Sequence, residues 1–140
     1  EDLYDVLYFC KKFYKKAGFE DLGKLNQEKT LQYITSLLEN QMALCKVVVD
    51  DDEIEGFAAF ALTESPFSDE IIGYELFFWL NNKNAFTAKK LMKEYEDWCK
   101  EKGCIAIRFG SIHSLEDDKF LNFLTKQGFT KRETFFTKGI

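Results

Sequence analysis

Residues 70–80 (EIIGYELFFWL) form a long, almost continuously apolar run, and the two segments after it restrict the fold more than any other feature of the chain. Beyond the polar loop 81–84 (NNKN), Ala88, Leu91, Met92, Tyr95, Trp98 and Cys99 recur at helical spacing as far as Gly103. A second apolar run, 104–109 (CIAIRF), comes next. Two strand-length apolar runs joined by an amphipathic helix predict a crossover, which makes the two strands parallel and covers the longer one on both faces.

The flanking segments predict the rest of the sheet and its cover. Leu3, Val6, Leu7, Cys10, Phe13, Tyr14 and Ala17 give residues 2–17 one apolar helical face, stopped by Gly18. Lys11, Lys12, Lys15 and Lys16 lie off that face and read as solvated, with a basic docking patch as the other reading. Asn26 is a good N-cap for a second helix carrying Leu31, Ile34, Leu37, Leu38 and Met42. Residues 44–49 and 54–62 read as a hairpin turning at Asp50, Asp51 and Asp52, which lack the spacing of a calcium loop. A loop around Pro66 leads into the central run. Past it, residues 115–127 predict a short helix ended by Gly128, and 130–138 (TKRETFFTK) a last strand. Residues 1–140 therefore read as one α+β domain, ααβββαβαβ. Its sheet is mixed and mostly antiparallel, with a parallel strand–helix–strand crossover and helices on both faces.

Composition removes several classes of function. Hydrophobic residues make up 46% and aromatic residues 16%, which excludes a disordered chain. A formal charge of −5 disfavours nucleic acid as a partner, and no apolar run is long enough for a membrane span. Cys10, Cys45, Cys99 and Cys104 form no CxxC pair and have no neighbouring His, so no metal site is expected. They read as thiols in a reducing, cytoplasmic compartment.

The order of these segments resembles the GNAT superfamily of N-acetyltransferases over nearly the whole chain. VVVDDDEIEGFAAFAL (47–62) is similar to the family's second and third strands, with Gly56 at its usual glycine. YELFFWL (74–80) is similar to the fourth strand, AKKLMKEYEDWCKEKGC (88–104) to the third helix entering the fifth strand, and FLTKQGF (123–129) to the fourth helix with its Gly-Phe ending. The resemblance implies a reduced, divergent member of the kind carried by phages and mobile elements, with the family's first strand absent ahead of Glu1.

That resemblance implies acetyl transfer from acetyl-CoA to an amine, on a small molecule or on a protein Lys or N-terminus, and no metal. In the family a loop of the form (Arg/Gln)xxGx(Gly/Ala) wraps the pyrophosphate at the start of the third helix. The matching residues are Lys83, Asn84, Ala85, Phe86, Thr87 and Ala88, with Phe78 and Leu80 on the strand before. Two of the family's glycines are missing here, and Phe86 is bulky. Helix-start N–H groups and the helix dipole still favour an anion, while Asn84 as a plain N-cap is the other reading.

Glu75 is the residue that the resemblance implies as general base. Simple strand alternation places it on one face with Phe77 and Trp79, aromatic surface that raises a carboxyl pKa. The family's general-acid Tyr corresponds to Leu124, which has no hydroxyl, and Tyr74 faces away from Glu75. His113 lies near the carboxyl ends of the parallel pair, and Arg108 reads as an ion-pair partner. An open sheet edge would take a strand from a partner chain or a homodimer. The alternative reading is a catalytically inactive GNAT-like module that binds a host or virion protein.

Overall fold

Asp51 and Asp52 both adopt positive φ (48° and 64°), the backbone that a two-residue mirror-image turn requires between twisted strands. They join β1 (Ala43–Asp50) to β2 (Glu53–Glu64), and the sheet grows from this hairpin. The computed structural model describes residues 2–81, 84–110 and 117–140. Two helices, α1 (Asp2–Lys16) and α2 (Gln27–Glu39), precede the hairpin, with a single 3-10 turn at Phe19–Leu22 between them. β3 (Ile71–Leu80), α3 (Ala85–Glu101), β4 (Ala106–Arg108) and α4 (Asp118–Lys126) come after it.

The four strands lie in the order β1-β2-β3-β4, antiparallel except for the parallel pair β3 and β4. This is the mixed, mostly antiparallel α+β sheet with one parallel crossover that the sequence predicts. β2 is its most enclosed strand, buried from Gly56 to Leu62 because both layers of helices meet on it. Ala58, Phe60 and Leu62 face Leu91, Met92, Tyr95 and Cys99 of α3 and Leu124 of α4. Phe57 and Ala59 face Val6 and Cys10 of α1 and Ile34 and Leu37 of α2. The strand alternates Phe with Ala, so each layer of helices settles onto small side chains between the rings. β3 is interior to the sheet but mostly half-buried, since β4 covers only Ile72, Gly73 and Tyr74 of its edge.

Caps fix where the helices begin and end. The Asn26 and Asp117 side chains accept from the N–H groups of Lys29 (3.0 Å) and Phe120 (2.7 Å). α3 and α4 end alike. The N–H of Cys104 returns to the Cys99 carbonyl (2.9 Å), and that of Phe129 to the Leu124 carbonyl (3.1 Å). Each closure passes through a left-handed glycine, Gly103 (φ 79°) or Gly128 (φ 89°), the Schellman geometry.

Some expectations need correction. Residues 130–138 form no strand and stay exposed, with Phe135 at 88% and Phe136 at 93%. Adjacent phenylalanines among Lys, Arg, Glu and Thr cannot place their apolar surface on one face of a strand. The strand expected at 104–109 pairs only over 106–108, and Leu38 of α2 is 57% exposed rather than part of the apolar face. Leu115, expected in the last helix, lies outside the described residues.

Gly73 is where β3 passes α3 most closely. A Cβ there would overlap Cys99 Sγ and lie 3.0 Å from Tyr95 Oη. Gly73→Ala is expected to destabilise the fold by about 1–3 kcal/mol through overpacking, read as a lower urea midpoint with an unchanged m-value.

Candidate active site where β3 and β4 part

The parallel ladder runs through only three pairs, Ile72↔Ala106, Gly73↔Ile107 and Tyr74↔Arg108. Beyond Tyr74 no strand pairs with β3 on that side among the described residues. The next residue, Glu75, stands at the fork, and its Oε2 accepts from the Gly110 N–H (3.2 Å). Burial pushes the Glu75 carboxyl up from 4.5 to about 7, opposed by that backbone hydrogen bond, which favours the charged form. It therefore exchanges a proton near neutral pH.

A bulge decides which way Glu75 points. On the β2 side Phe77 pairs with Ala59 and Glu75 with Phe60, so Leu76 is an extra residue without a partner. Leu76 and Phe77 consequently both pack against the α1–α2 layer, while Phe78 and Leu80 pack against the α3 layer. Trp79 lies under α1, 6.2 Å from the Phe13 ring centroid and below the Lys16 ammonium. The expectation that Glu75 shares a face with Phe77 and Trp79 is thus corrected: the bulge reverses the alternation after residue 75. Glu75 lies instead with Phe60 and Tyr95.

Tyr95 is the polar neighbour that helical spacing alone assigns to the core. Its ring stacks on Phe60 at 4.1 Å and its hydroxyl donates to the Arg108 carbonyl (3.1 Å). Burial, then the nearby Cys99, pushes its phenol far up, so it stays protonated. The available signal is a tyrosine inside a buried apolar stripe, whose hydroxyl needs a partner. Gly110 carries no signal in the sequence, because its role depends on β3 and the chain after β4 meeting in space.

At the start of α3, Asn84 Oδ1 accepts from the N–H groups of Phe86 (2.9 Å) and Thr87 (3.4 Å), so this helix start holds its own cap. Ala85 and Phe86 are exposed, Phe86 at 78%, and Thr87 and Ala88 are half-buried. Phe78 and Leu80 are half-buried, with side chains packed against the α3 side of the core. The Phe109 ring packs on Phe78 (5.0 Å) and Phe120 (6.0 Å) and closes the apolar side of the fork. Leu124 is buried in the same layer. Arg108 lies 3.7 Å from Glu133, the ion pair expected for it. Lys83 and His113 lie outside the described residues. Among the described residues no group of acids, thiols and imidazoles is arranged to hold a metal, and no helix is long and apolar enough to cross a membrane. Two surface grooves, of about 350 Å³ on α2 and about 300 Å³ between β1 and α3, are lined by neither Glu75 nor the α3 start.

The described fold is similar to that of solved acetyltransferases. A GNAT family acetyltransferase of Staphylococcus aureus superposes with a TM-score of 0.65 at 16% identity, over 99% of this chain and 92% of that one. An aminoglycoside acetyltransferase from an uncultured soil metagenomic sample, solved with sisomicin, gives 0.71 at 16% identity, over 99% and 90%. An integron cassette protein from the mobile metagenome of Cole Harbour Salt Marsh gives 0.76 at 15% identity, over 99% and 84%. No family model matches the sequence, and no curated protein matches it. The likeness is one of fold, in a divergent sequence.

Because the Glu75 pKa is higher folded (about 7) than unfolded (4.5), the native state binds more protons between those values and loses stability as pH rises through them. Glu75→Gln removes the titrating group. The variant is expected to show a smaller fall in stability from pH 4.5 to 7, seen in urea melts at both ends of the window. Parallel pH profiles for wild type and variant would show that Glu75 is not the titrating group.

Proposed function

We propose that this chain, as one domain over residues 1–140, is an N-acetyltransferase that moves acetyl from acetyl-CoA to an amine. The observation that carries this reading is Glu75, a carboxyl of pKa about 7 held by a backbone N–H at the fork of the parallel strands. A base of that pKa is half ionised near neutral pH, where it serves proton transfer best.

The residues present fit acetyl-CoA in two places. Among the described residues no strand pairs with β3 from Leu76 to Leu80 on the β4 side, an edge that suits an extended, amide-bearing arm, which adds to a sheet edge as a strand does. The α3 start takes phosphate once the Asn84 side chain turns off the Phe86 and Thr87 N–H groups, with Ala85 and Ala88 small at that turn. Lys83, next before Asn84 in the sequence, carries a positive charge. Bound there, acetyl-CoA supplies the thioester carbonyl. Glu75 accepts a proton from the acceptor's ammonium group, directly or through water, and leaves a neutral amine able to attack. Tyr95 keeps its proton on the Arg108 carbonyl, and Leu124 has none to give, so the departing thiolate takes its proton from solvent or from the acceptor.

A cationic small-molecule amine suits the formal charge of −5, and a protein Lys or N-terminus is the other acceptor class. Cytoplasmic acetyl-CoA fits a chain of this kind. The outer edge of β1 has no neighbouring strand among the described residues, which leaves room for a homodimer or a strand-completing partner chain. The self-capped α3 start favours a second reading, an inactive module that keeps the fold and binds a protein.

Calorimetry with acetyl-CoA separates the two readings. The enzyme gives binding heat and, with a panel of amines, release of free thiol. Its rate climbs with pH through about 7 as Glu75 ionises. Glu75→Gln is expected to lower kcat by roughly 10²–10⁴-fold with little change in acetyl-CoA affinity. Absence of heat and of any thermal shift at about 1 mM ligand would overturn the enzyme, and an unchanged rate in Glu75→Gln would remove Glu75 from the mechanism.

A further inference from the structure

The Schellman motif places two residues side by side, the third from the helix end and the second beyond it. At the end of α4 these are Leu124 and Phe129, an ordinary apolar pair. At the end of α3 they are Cys99 and Cys104. The Cys104 N–H donates to the Cys99 carbonyl at 2.9 Å, the Gly103 N–H to the Lys100 carbonyl at 3.1 Å, and Gly103 turns left-handed at φ 79°. The two thiols are near enough that Cys104 acts electrostatically on Cys99. Cys10 of α1 and Cys45 of β1 pack on the opposite face of the sheet, and burial alone raises the pKa of each.

We infer that Cys99 and Cys104 are a reversible thiol–disulfide site, oxidised by a low-molecular-weight disulfide such as oxidised glutathione. The two residues divide the reaction by exposure. Cys104 is half-buried and reachable, and Cys99 is closed off at 2%. Burial, reinforced by Cys104, pushes the Cys99 thiol up to about 12, and the more exposed Cys104 is the one that meets the small disulfide first. The Cys104 thiolate attacks the small disulfide and releases one reduced thiol, leaving a mixed disulfide. Cys99 then loses its proton, attacks the Cys104 sulfur and expels the second reduced thiol. Two S–H bonds are lost and one S–S bond forms, with both protons and both electrons ending on two small thiols.

The Schellman hydrogen bonds already hold the backbones of the two residues together. The loop closed is very short, so it adds little loop-closure stabilisation and stays open to reduction. Cys99 Sγ and Tyr95 Oη both lie against Gly73, beside the strand that carries Glu75. The bridge therefore borders the fork without using any of its chemistry.

The test uses the full chain and no acetyl-CoA, so its outcome is independent of the proposed activity. Reduced protein is incubated with oxidised glutathione, quenched by alkylation and mapped by peptide mass. The expected product is a peptide bridged between Cys99 and Cys104, reopened by dithiothreitol, with Cys10 and Cys45 alkylated throughout. Phenylarsine oxide, which spans two adjacent thiols, is expected to form a one-to-one adduct with wild type. Cys104→Ser, shown to be folded by circular dichroism, is expected to lose both products. Full alkylation of all four cysteines under excess oxidised glutathione would overturn the site, as would a bridge mapped to any other pair. If Cys104→Ser does not fold, the wild-type peptide map and arsenical stoichiometry decide alone.

Discussion

The short parallel pairing between β3 and β4 is the constraint on which the rest of this molecule depends. It ties the two ends of α3 to one sheet and so presses Leu91, Met92, Tyr95 and Cys99 onto β2. It also stops after Tyr74. A longer ladder would have consumed the backbone edge of β3 and left Glu75 between two paired strands. Ending where it does, it creates a fork with a carboxylate at its base and a helix start in the chain just past its arm. The Gly110 N–H closes the base of the fork.

The bulge at Leu76 works together with that fork. One extra residue turns Phe77 and Trp79 to the α1 side and leaves Glu75 facing Phe60 and Tyr95. The aromatic surroundings expected to raise the carboxyl pKa are present, but they belong to β2 and α3 rather than to β3 itself. The placement of the carboxyl thus has its origin in one irregularity of the ladder.

The fold is largely legible in the sequence because its signals are local and repeated. Apolar residues of α1 and α3 fall at helical spacing, Asn26 and Asn84 cap helices where the period changes, and Gly103 and Gly128 end them. The site is legible only in part. Glu75 stands out as an acid in an apolar strand, yet simple alternation assigns it the wrong face, since a bulge leaves no mark on an otherwise regular run of residues. Tyr95 reads as packing alone, and Gly110 does not stand out at all. The last strand is an over-reading, because TKRETFFTK carries strand-forming residues without an apolar face or a partner ladder.

The sequence by itself determined the helices and the first three strands, and that two strands flanking a helix run parallel. These depend on side-chain period and caps, properties of residues only a few positions apart. Tertiary structure alone decided the length of the β3–β4 ladder, the register shift that turns Glu75 toward Tyr95, and the meeting of Glu75 with Gly110. Each of these depends on hydrogen bonds between backbone segments distant in sequence, whose register no local pattern encodes.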